Sequence, residues 1–184
     1  MISLYLSIVE TEEDKKKVTF IYEKCYSFMC YMAKQYLGND YDIEDVVHNS
    51  MLKIIENLDI IDTTDEKRVK NLCGVIAKNK AIDLIRSHKG KDNTGFNDEV
   101  INTRSEALNP SDIVMTQEVY NLVLEKIHSL DDTYRDVCML KYVNELKEKE
   151  IALLLDLPPK TVSLRIFRGK QILREAIRKE NLHE

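Results

Sequence analysis

A run of basic side chains near the C-terminal end is the part of this chain best suited to chemistry. Residues 159–179 hold seven Lys and Arg residues against one acidic residue, Glu175, which gives the segment a net charge of +6. Lysine and arginine at this density can neutralise DNA phosphates, and an arginine that enters the major groove can read a guanine. The segment therefore indicates binding to nucleic acid.

A helix-turn-helix would place these side chains on one exposed surface. Ile151, Ala152 and Leu155 fall on one face of a short helix. Residues 156–158 interrupt that helix, and Pro159 has the fixed φ that suits the first position of a second helix. The second helix has its own apolar stripe, formed by Val162, Ile166, Ile172 and Leu173. An ordinary helical hairpin with a solvated basic face would show the same pattern, so the pattern by itself leaves both interpretations open.

A second basic segment lies in the N-terminal half. Residues 65–91 hold eight basic residues against three acidic ones, a net charge of +5. Because the whole chain has a net charge of −5, the residues outside the two basic segments together carry −16. The chain therefore presents two basic patches on an acidic body, and this charge pattern favours two contacts with nucleic acid.

Composition narrows the class of protein. Charged residues make up 32% of the 184 residues, while Gly and Pro are few, at five and three, as is typical of a soluble helical protein. The sequence contains no P-loop, HExxH motif, nucleophile elbow or metal-ligand cluster, so we expect no enzyme activity, no cofactor and no metal site. It also contains neither a signal peptide nor an apolar run of about 20 residues, and we expect a cytoplasmic protein without membrane insertion.

Apolar periodicity predicts an all-α chain of two small helical domains. Helices are expected near residues 12–37, 42–58 and 67–88, with Asp42 capping the second of them. Residues 89–110 lack periodicity and are predicted to be a flexible linker. Residues 111–184 are predicted to form four helices, with Asp131 capping one of them and the helix-turn-helix at the end. The predicted domains are therefore 1–88 and 111–184.

Three segments together carry a resemblance to a known family. The N-terminal half contains DIEDVVHNSMLKI and IAKNKAIDLIR, and the C-terminal half contains LDDTYRDVCMLKYVNELKEKEIALLLDLPPKTVSLRIFRGKQIL. The last segment includes Tyr134-Arg135, Glu150-Ile151-Ala152, Thr161-Val162, Arg165 and Arg168. In this order the segments resemble the second and fourth regions of bacterial RNA polymerase sigma factors of the extracytoplasmic-function type. The resemblance covers nearly the whole chain, with residues 1–88 as region 2 and residues 111–184 as region 4.

The resemblance implies an alternative sigma factor that binds core polymerase, directs it to specific promoters and helps to open the minus-ten DNA. The fourth region would read the minus-thirty-five element through Lys160, Thr161, Ser163, Arg165 and Arg168. The second region would hold the opened minus-ten strand through Lys78, Asn79, Lys80 and Arg86. The helix that begins near Asp42 would bind the β′ clamp helices of polymerase through Asp45, His48, Asn49 and Lys53. The β flap of polymerase and an anti-sigma factor are further implied partners.

Several positions depart from the family pattern. His48 and Asn49 stand where relatives usually have Gln and an acid, and Gly74 stands where they often have Tyr. Gly169 replaces the usual Ala, which is expected to cost the recognition helix about 1 kcal/mol. Asp156 occupies the usual glycine of the turn, where a residue that tolerates positive φ is expected.

Two other functions are compatible with parts of the sequence. A one-component helix-turn-helix regulator would bind DNA through its C-terminal half and use its N-terminal helices to sense a ligand or to dimerise. The strongly basic residues 67–91 count against that function. A helical adaptor or antagonist would bind a transcription protein and no DNA, which the two basic patches disfavour.

Overall fold

The computed structural model describes residues 2–88 and 117–180, and within these ranges every regular element is a helix. The N-terminal half contains α1 (Ile2–Ile8), α2 (Glu12–Lys34), α3 (Asp40–Ile55), a short 3-10 turn (Leu58–Ile60) and α4 (Glu66–His88). The C-terminal half contains α5 (Gln117–His128), α6 (Asp132–Cys138), a π-helical turn (Met139–Val143), α7 (Glu148–Leu154) and α8 (Pro159–Glu180). The prediction of an all-α chain is confirmed, whereas the predicted linker, residues 89–110, lies outside the described ranges.

The helices α2, α3 and α4 enclose the core of the N-terminal half. Apolar residues recur every three or four positions along α2 and are fully buried: Val18, Ile21, Cys25, Met29 and Ala33. This spacing gives α2 one apolar face. The helix α4 packs against both α2 and α3, so its own position is determined by two neighbours.

The start of α3 differs from the sequence prediction. Asn39, and not Asp42, is the N-cap, because its side-chain oxygen accepts a hydrogen bond from the Asp42 backbone N–H at 2.8 Å. Both residue types cap helices well, so composition alone could not distinguish them. The short helix α1 was not predicted at all, yet its Tyr5 is fully buried against the N-terminal core.

Two glycines allow helices to approach closely. A Cβ added at Gly74 would lie 2.7 Å from Phe28 Cε1, at the contact between α4 and α2. A Cβ added at Gly169 would lie 2.6 Å from Cys138 Sγ, where α8 packs against the end of α6. Both distances are well below normal van der Waals contact distances, for carbon with carbon at Gly74 and for carbon with sulfur at Gly169. Close packing is therefore the physical reason for two positions that the sequence showed only as departures from the family pattern.

The turn between α7 and α8 has the local geometry that the sequence predicts. Ile151, Ala152 and Leu155 are buried, as their shared helical face requires. Asp156 has a φ of 52°, which confirms that this position needs a residue tolerant of the left-handed region. Pro159 is the first residue of α8.

The apolar stripe of α8 is narrower than predicted. Val162, Ile166 and Leu173 are buried, but the side chain of Ile172 is 43% exposed. Residues 162, 166, 169 and 173 follow helical spacing along one face, whereas position 172 points about 100° away from position 173. The assignment of Ile172 to the stripe was therefore wrong. At the other end of this half, Asp131 caps α6 as predicted, with its carboxylate accepting from the Thr133 N–H at 3.0 Å.

Candidate nucleic-acid and polymerase interfaces

The first turns of α8 carry the residues predicted to contact the minus-thirty-five element. Lys160 and Ser163 are exposed, and Thr161 and Arg168 are partly exposed. The Ser163 hydroxyl donates to the Glu148 carboxylate, which ties α8 to the beginning of α7. Because the N-terminal end of a helix is the positive end of its dipole, an exposed Lys and hydroxyls here suit a phosphate.

Arg165 is directed towards the N-terminal half, away from Lys160 and Ser163. It lines a cleft of about 110 Å³ together with Asn79 and Arg86 of α4 and with Asp156 of the turn. Its Nε is buried and has no hydrogen-bond partner among the described residues. In this conformation Arg165 therefore faces the N-terminal half and is separated from the surface formed by Lys160 and Ser163.

Two of the predicted minus-ten residues are engaged by a carboxylate of the C-terminal half. Lys78 is only 5% exposed, and its Nζ donates to Asp136 at 2.7 Å. The side-chain amide of Asn79 donates to the other Asp136 oxygen at 3.0 Å and to the Val75 carbonyl at 2.8 Å. Burial raises the pKa of Asp136, and the contacts with Lys78 and Asn79 offset only part of this effect. Both carboxylate oxygens of Asp136 are thus occupied by α4.

A second carboxylate bridges two more predicted residues. Asp156 accepts from Lys53 of α3 at 2.5 Å and from Lys80 of α4 at 2.8 Å. Partial burial opposes ionisation of Asp156, but the hydrogen bonds from Lys53 and Lys80 outweigh it, so its pKa lies below the usual value. The turn of the helix-turn-helix is therefore docked against α3 and α4 through an ionised side chain.

Arg86 is the most accessible of the predicted minus-ten residues. Its guanidinium lies 3.5 Å from Asp83, and both side chains are largely exposed, at 64% and 54%. This is the ion pair that the i, i+3 spacing allows. Such an exposed pair contributes little to stability, so Arg86 can exchange Asp83 for another anion at small cost.

Three of the four residues predicted to bind polymerase line one groove beside α3, and the fourth, His48, does not. Asp45 and Asn49 are exposed and, with Lys53, line a groove of about 440 Å³ between α3 and α4. His48 instead meets α1: its Nδ1 lies 3.0 Å from the Tyr5 hydroxyl, and the two rings stack with centroids 5.6 Å apart. Asp45 and Asn49 are thus accessible, whereas His48 is partly covered by Tyr5.

Sequence reasoning missed the acidic residues of the C-terminal half that bind basic residues of α3 and α4. Asp136 binds Lys78 and Asn79, and Asp156 binds Lys53 and Lys80. Glu145, which has a positive φ of 59°, forms a further ion pair with Arg68 of α4 at 3.0 Å. The Asn144 amide also donates to the Arg68 carbonyl at 2.9 Å. The excess of acidic residues outside the basic segments was the only available signal, and it does not indicate which acid meets which base.

Two further kinds of site were sought in residues 2–88 and 117–180. This part of the chain has no group of three or more His, Cys, Asp or Glu side chains arranged to hold a metal ion. None of its helices combines the length and the apolar character needed to cross a bilayer.

Comparison with known proteins gives consistent results for both halves. The family model described as Sigma-70 region 2 matches residues 21–91, and that described as Sigma-70, region 4, matches residues 120–173. The ECF RNA polymerase sigma factor SigW of Bacillus subtilis is 32% identical over 95% of this chain and 89% of its own length. The ECF RNA polymerase sigma-E factors of Salmonella typhimurium LT2 and Escherichia coli K12 are 28% and 27% identical, each over 72% of both chains.

Proposed function

The chain belongs to the extracytoplasmic-function family of RNA polymerase sigma factors, and from this premise we propose how its two helical halves divide the work of an alternative sigma factor. Residues 1–88 act as region 2, which binds core polymerase and the minus-ten element, and residues 111–184 act as region 4, which binds the minus-thirty-five element. Residues 89–110 connect them. One observation supports this division: α4 and α8 carry most of the residues of the two basic segments, in the order in which the two family regions occur.

In the C-terminal half, α8 is the recognition helix. Lys160 and Thr161 at its start would bind a phosphate and so position the helix, while Ser163 and Arg168 lie further along and would reach the major groove. An arginine that reads a guanine contributes roughly 1 to 3 kcal/mol of discrimination. Arg165 would join them only after α8 has moved away from α4, because it now lines the cleft between the two halves.

In the N-terminal half, α4 supports opening of the minus-ten DNA. Lys78, Asn79 and Lys80 supply two cations and an amide that can donate to and accept from a base edge, and Arg86 extends the basic surface along the helix. Holding a single strand requires such a basic groove together with base contacts. No chemical step is needed, so the protein acts by binding alone.

Docking to polymerase uses the accessible face of α3. Asp45 and Asn49 would contact the β′ clamp helices directly, with Lys53 and His48 at the edge of the same surface, and the C-terminal half would bind the β flap. Since polymerase and promoters are cytoplasmic, the protein works there. Control by an anti-sigma factor that covers both halves is part of the same proposal.

Binding to core polymerase tests the docking assignment. We expect the double variant Asp45→Ala/Asn49→Ala to bind labelled core at least about tenfold more weakly than the parent protein, the loss that about 1.4 kcal/mol produces. Glu23→Ala/Ser27→Ala is the matched control, because both residues are exposed on α2. Equal loss in both variants, or no core binding by the parent protein, would contradict the assignment.

A further inference from the structure

Tyr5 of α1 contacts a residue of the proposed polymerase surface through its hydroxyl group. The Tyr5 oxygen lies 3.0 Å from His48 Nδ1, and the two rings are 29° from parallel with their centroids 5.6 Å apart. We propose that Tyr5 is a positioning residue: it holds His48 in the tautomer with its proton on Nε2, so that His48 donates a hydrogen bond to an oxygen of core polymerase. This inference rests on the proposed function, which assigns His48 to the polymerase surface.

The position of Tyr5 is determined by the N-terminal core. Its side chain is fully buried, although α1 has only seven residues. The ring packs against Tyr22 of α2 at a centroid distance of 6.1 Å, and Tyr22 in turn packs against Tyr26 at 4.7 Å. The helix α1 also contacts both α2 and α3. The Tyr5 hydroxyl is therefore held in one place beside α3, and it can fix the orientation of the imidazole that it contacts.

The direction of the hydrogen bond decides which tautomer His48 adopts. Burial raises the pKa of Tyr5 to about 12, so the phenol keeps its proton at neutral pH. Leaving a buried hydroxyl without an acceptor costs free energy, and an unprotonated Nδ1 is an acceptor at hydrogen-bond distance. When Tyr5 donates to Nδ1, the single proton of the neutral imidazole must lie on Nε2. The contact with Tyr5 therefore makes Nε2 a hydrogen-bond donor.

A donor at Nε2 adds a specific contact to the edge of the polymerase surface. His48 follows Asp45 by three positions on α3, so the two side chains are neighbours on the helix surface. Because Nδ1 is engaged by Tyr5, Nε2 is the ring nitrogen that remains for a carbonyl or carboxylate oxygen of the partner. The glutamine that relatives usually have at this position carries an amide N–H that can donate in the same way. With the other tautomer, His48 would present a lone pair to that oxygen and repel it.

Nuclear magnetic resonance of the 15N-labelled full chain measures the tautomer directly. Correlations between ring protons and ring nitrogens distinguish Nδ1–H, Nε2–H and imidazolium, and a His48→Gln variant identifies the His48 signals among those of the four histidines. At about pH 8, where an ordinary imidazole is neutral, we expect Nε2–H in the parent protein and a mixture of both tautomers in Tyr5→Phe. Tyr22→Phe is the matched control, because it removes a hydroxyl from the ring that packs against Tyr5, and it should show the parent tautomer.

Binding to labelled core polymerase measures the consequence for the partner. We expect Tyr5→Phe to bind core roughly fivefold more weakly than the parent protein, a factor that corresponds to about 1 kcal/mol and to one hydrogen bond. Tyr22→Phe should bind core as the parent protein does. A glutamine at position 48 has no tautomers, so Tyr5→Phe should leave core affinity unchanged in the His48→Gln background, whereas a purely structural role of Tyr5 would lower affinity equally in both backgrounds.

The tautomer of the parent protein is measured without any substitution at Tyr5, so it tests the proposal even if Tyr5→Phe is unfolded by far-UV circular dichroism. An Nδ1–H tautomer or an imidazolium in the parent protein would overturn the proposal, and so would unchanged tautomer populations in folded Tyr5→Phe. Equal loss of core affinity with histidine and with glutamine at position 48 would overturn the positioning role. If Asp45→Ala/Asn49→Ala weakens core binding while Tyr5→Phe does not, only this inference fails, whereas absence of core binding by the parent protein would count against the proposed function itself.

Discussion

Substitution of Gly169 by alanine places a methyl group where α8, the proposed recognition helix, packs against α6. The added Cβ would lie 2.6 Å from Cys138 Sγ and 3.5 Å from Tyr134 Cβ. The Cys138 thiol is fully buried and can leave only by rotating about χ1 or by moving with its helix. The substitution therefore has two opposite effects on stability: a gain from higher helix propensity and a loss from overpacking.

The relative sizes of these two effects decide whether the substitution raises or lowers the free energy of unfolding. Glycine to alanine inside a helix contributes about 1 kcal/mol of stability, whereas an extra methyl group in a packed interior typically costs about 1 to 3 kcal/mol. We expect Gly169→Ala to lower the free energy of unfolding by about 1 kcal/mol. In a Cys138→Ala background the sulfur is absent, so the same substitution should raise the free energy of unfolding by up to about 1 kcal/mol.

Urea unfolding of the four proteins in this double-mutant cycle, followed by far-UV circular dichroism, measures the coupling. The expected coupling between the two positions is about 2 kcal/mol and should appear as midpoint shifts without a change in slope. If Gly169→Ala stabilises the parent protein, or has the same effect in both backgrounds, the close contact between α8 and α6 does not exist as described.

Three further predictions concern single residues. Arg168→Ala should weaken binding to the minus-thirty-five element by roughly 1 to 3 kcal/mol while leaving core affinity intact in a filter-binding assay, and equal loss of both would indicate misfolding. Asn79→Ala should reduce permanganate reactivity at the minus-ten region of the polymerase complex, and unchanged reactivity would remove Asn79 from the site. Burial raises the pKa of Tyr5 to about 12, so its contribution to stability is complete below about pH 10 and is lost as the pH rises from there towards about 12. Urea titrations at pH 9 and pH 11 should therefore show a smaller loss of stability in Tyr5→Phe than in the parent protein, and an equal loss would contradict this role for Tyr5.

Local features were predictable because they depend on neighbouring residues. The start of α8 at Pro159, the positive φ of Asp156 and the cap at Asp131 each follow from the conformational preference of one residue type in its place. By contrast, α1 has seven residues, too few for a clear apolar stripe, and the importance of Tyr5 arises from its contact with His48, 43 positions away.

The candidate site was predictable as a set of basic residues but not as a geometry. The sequence identifies Lys78, Asn79 and Lys80 as a basic surface on one helix. It does not show that Asp136, 58 positions beyond Lys78, buries that lysine. Pairing across such a distance depends on how the two halves dock, and neither periodicity nor local charge reports it.

Run-off transcription on fragmented genomic DNA from the source organism, followed by sequencing of the RNA 5′ ends, tests the central claim most directly. Purified bacterial core polymerase is compared with and without this protein. We predict a discrete set of new start sites that appear only with the protein and that share two conserved elements at a constant spacing upstream. The same 5′ ends in both reactions, or new ends without shared elements, would contradict the assignment as a promoter-specific sigma factor.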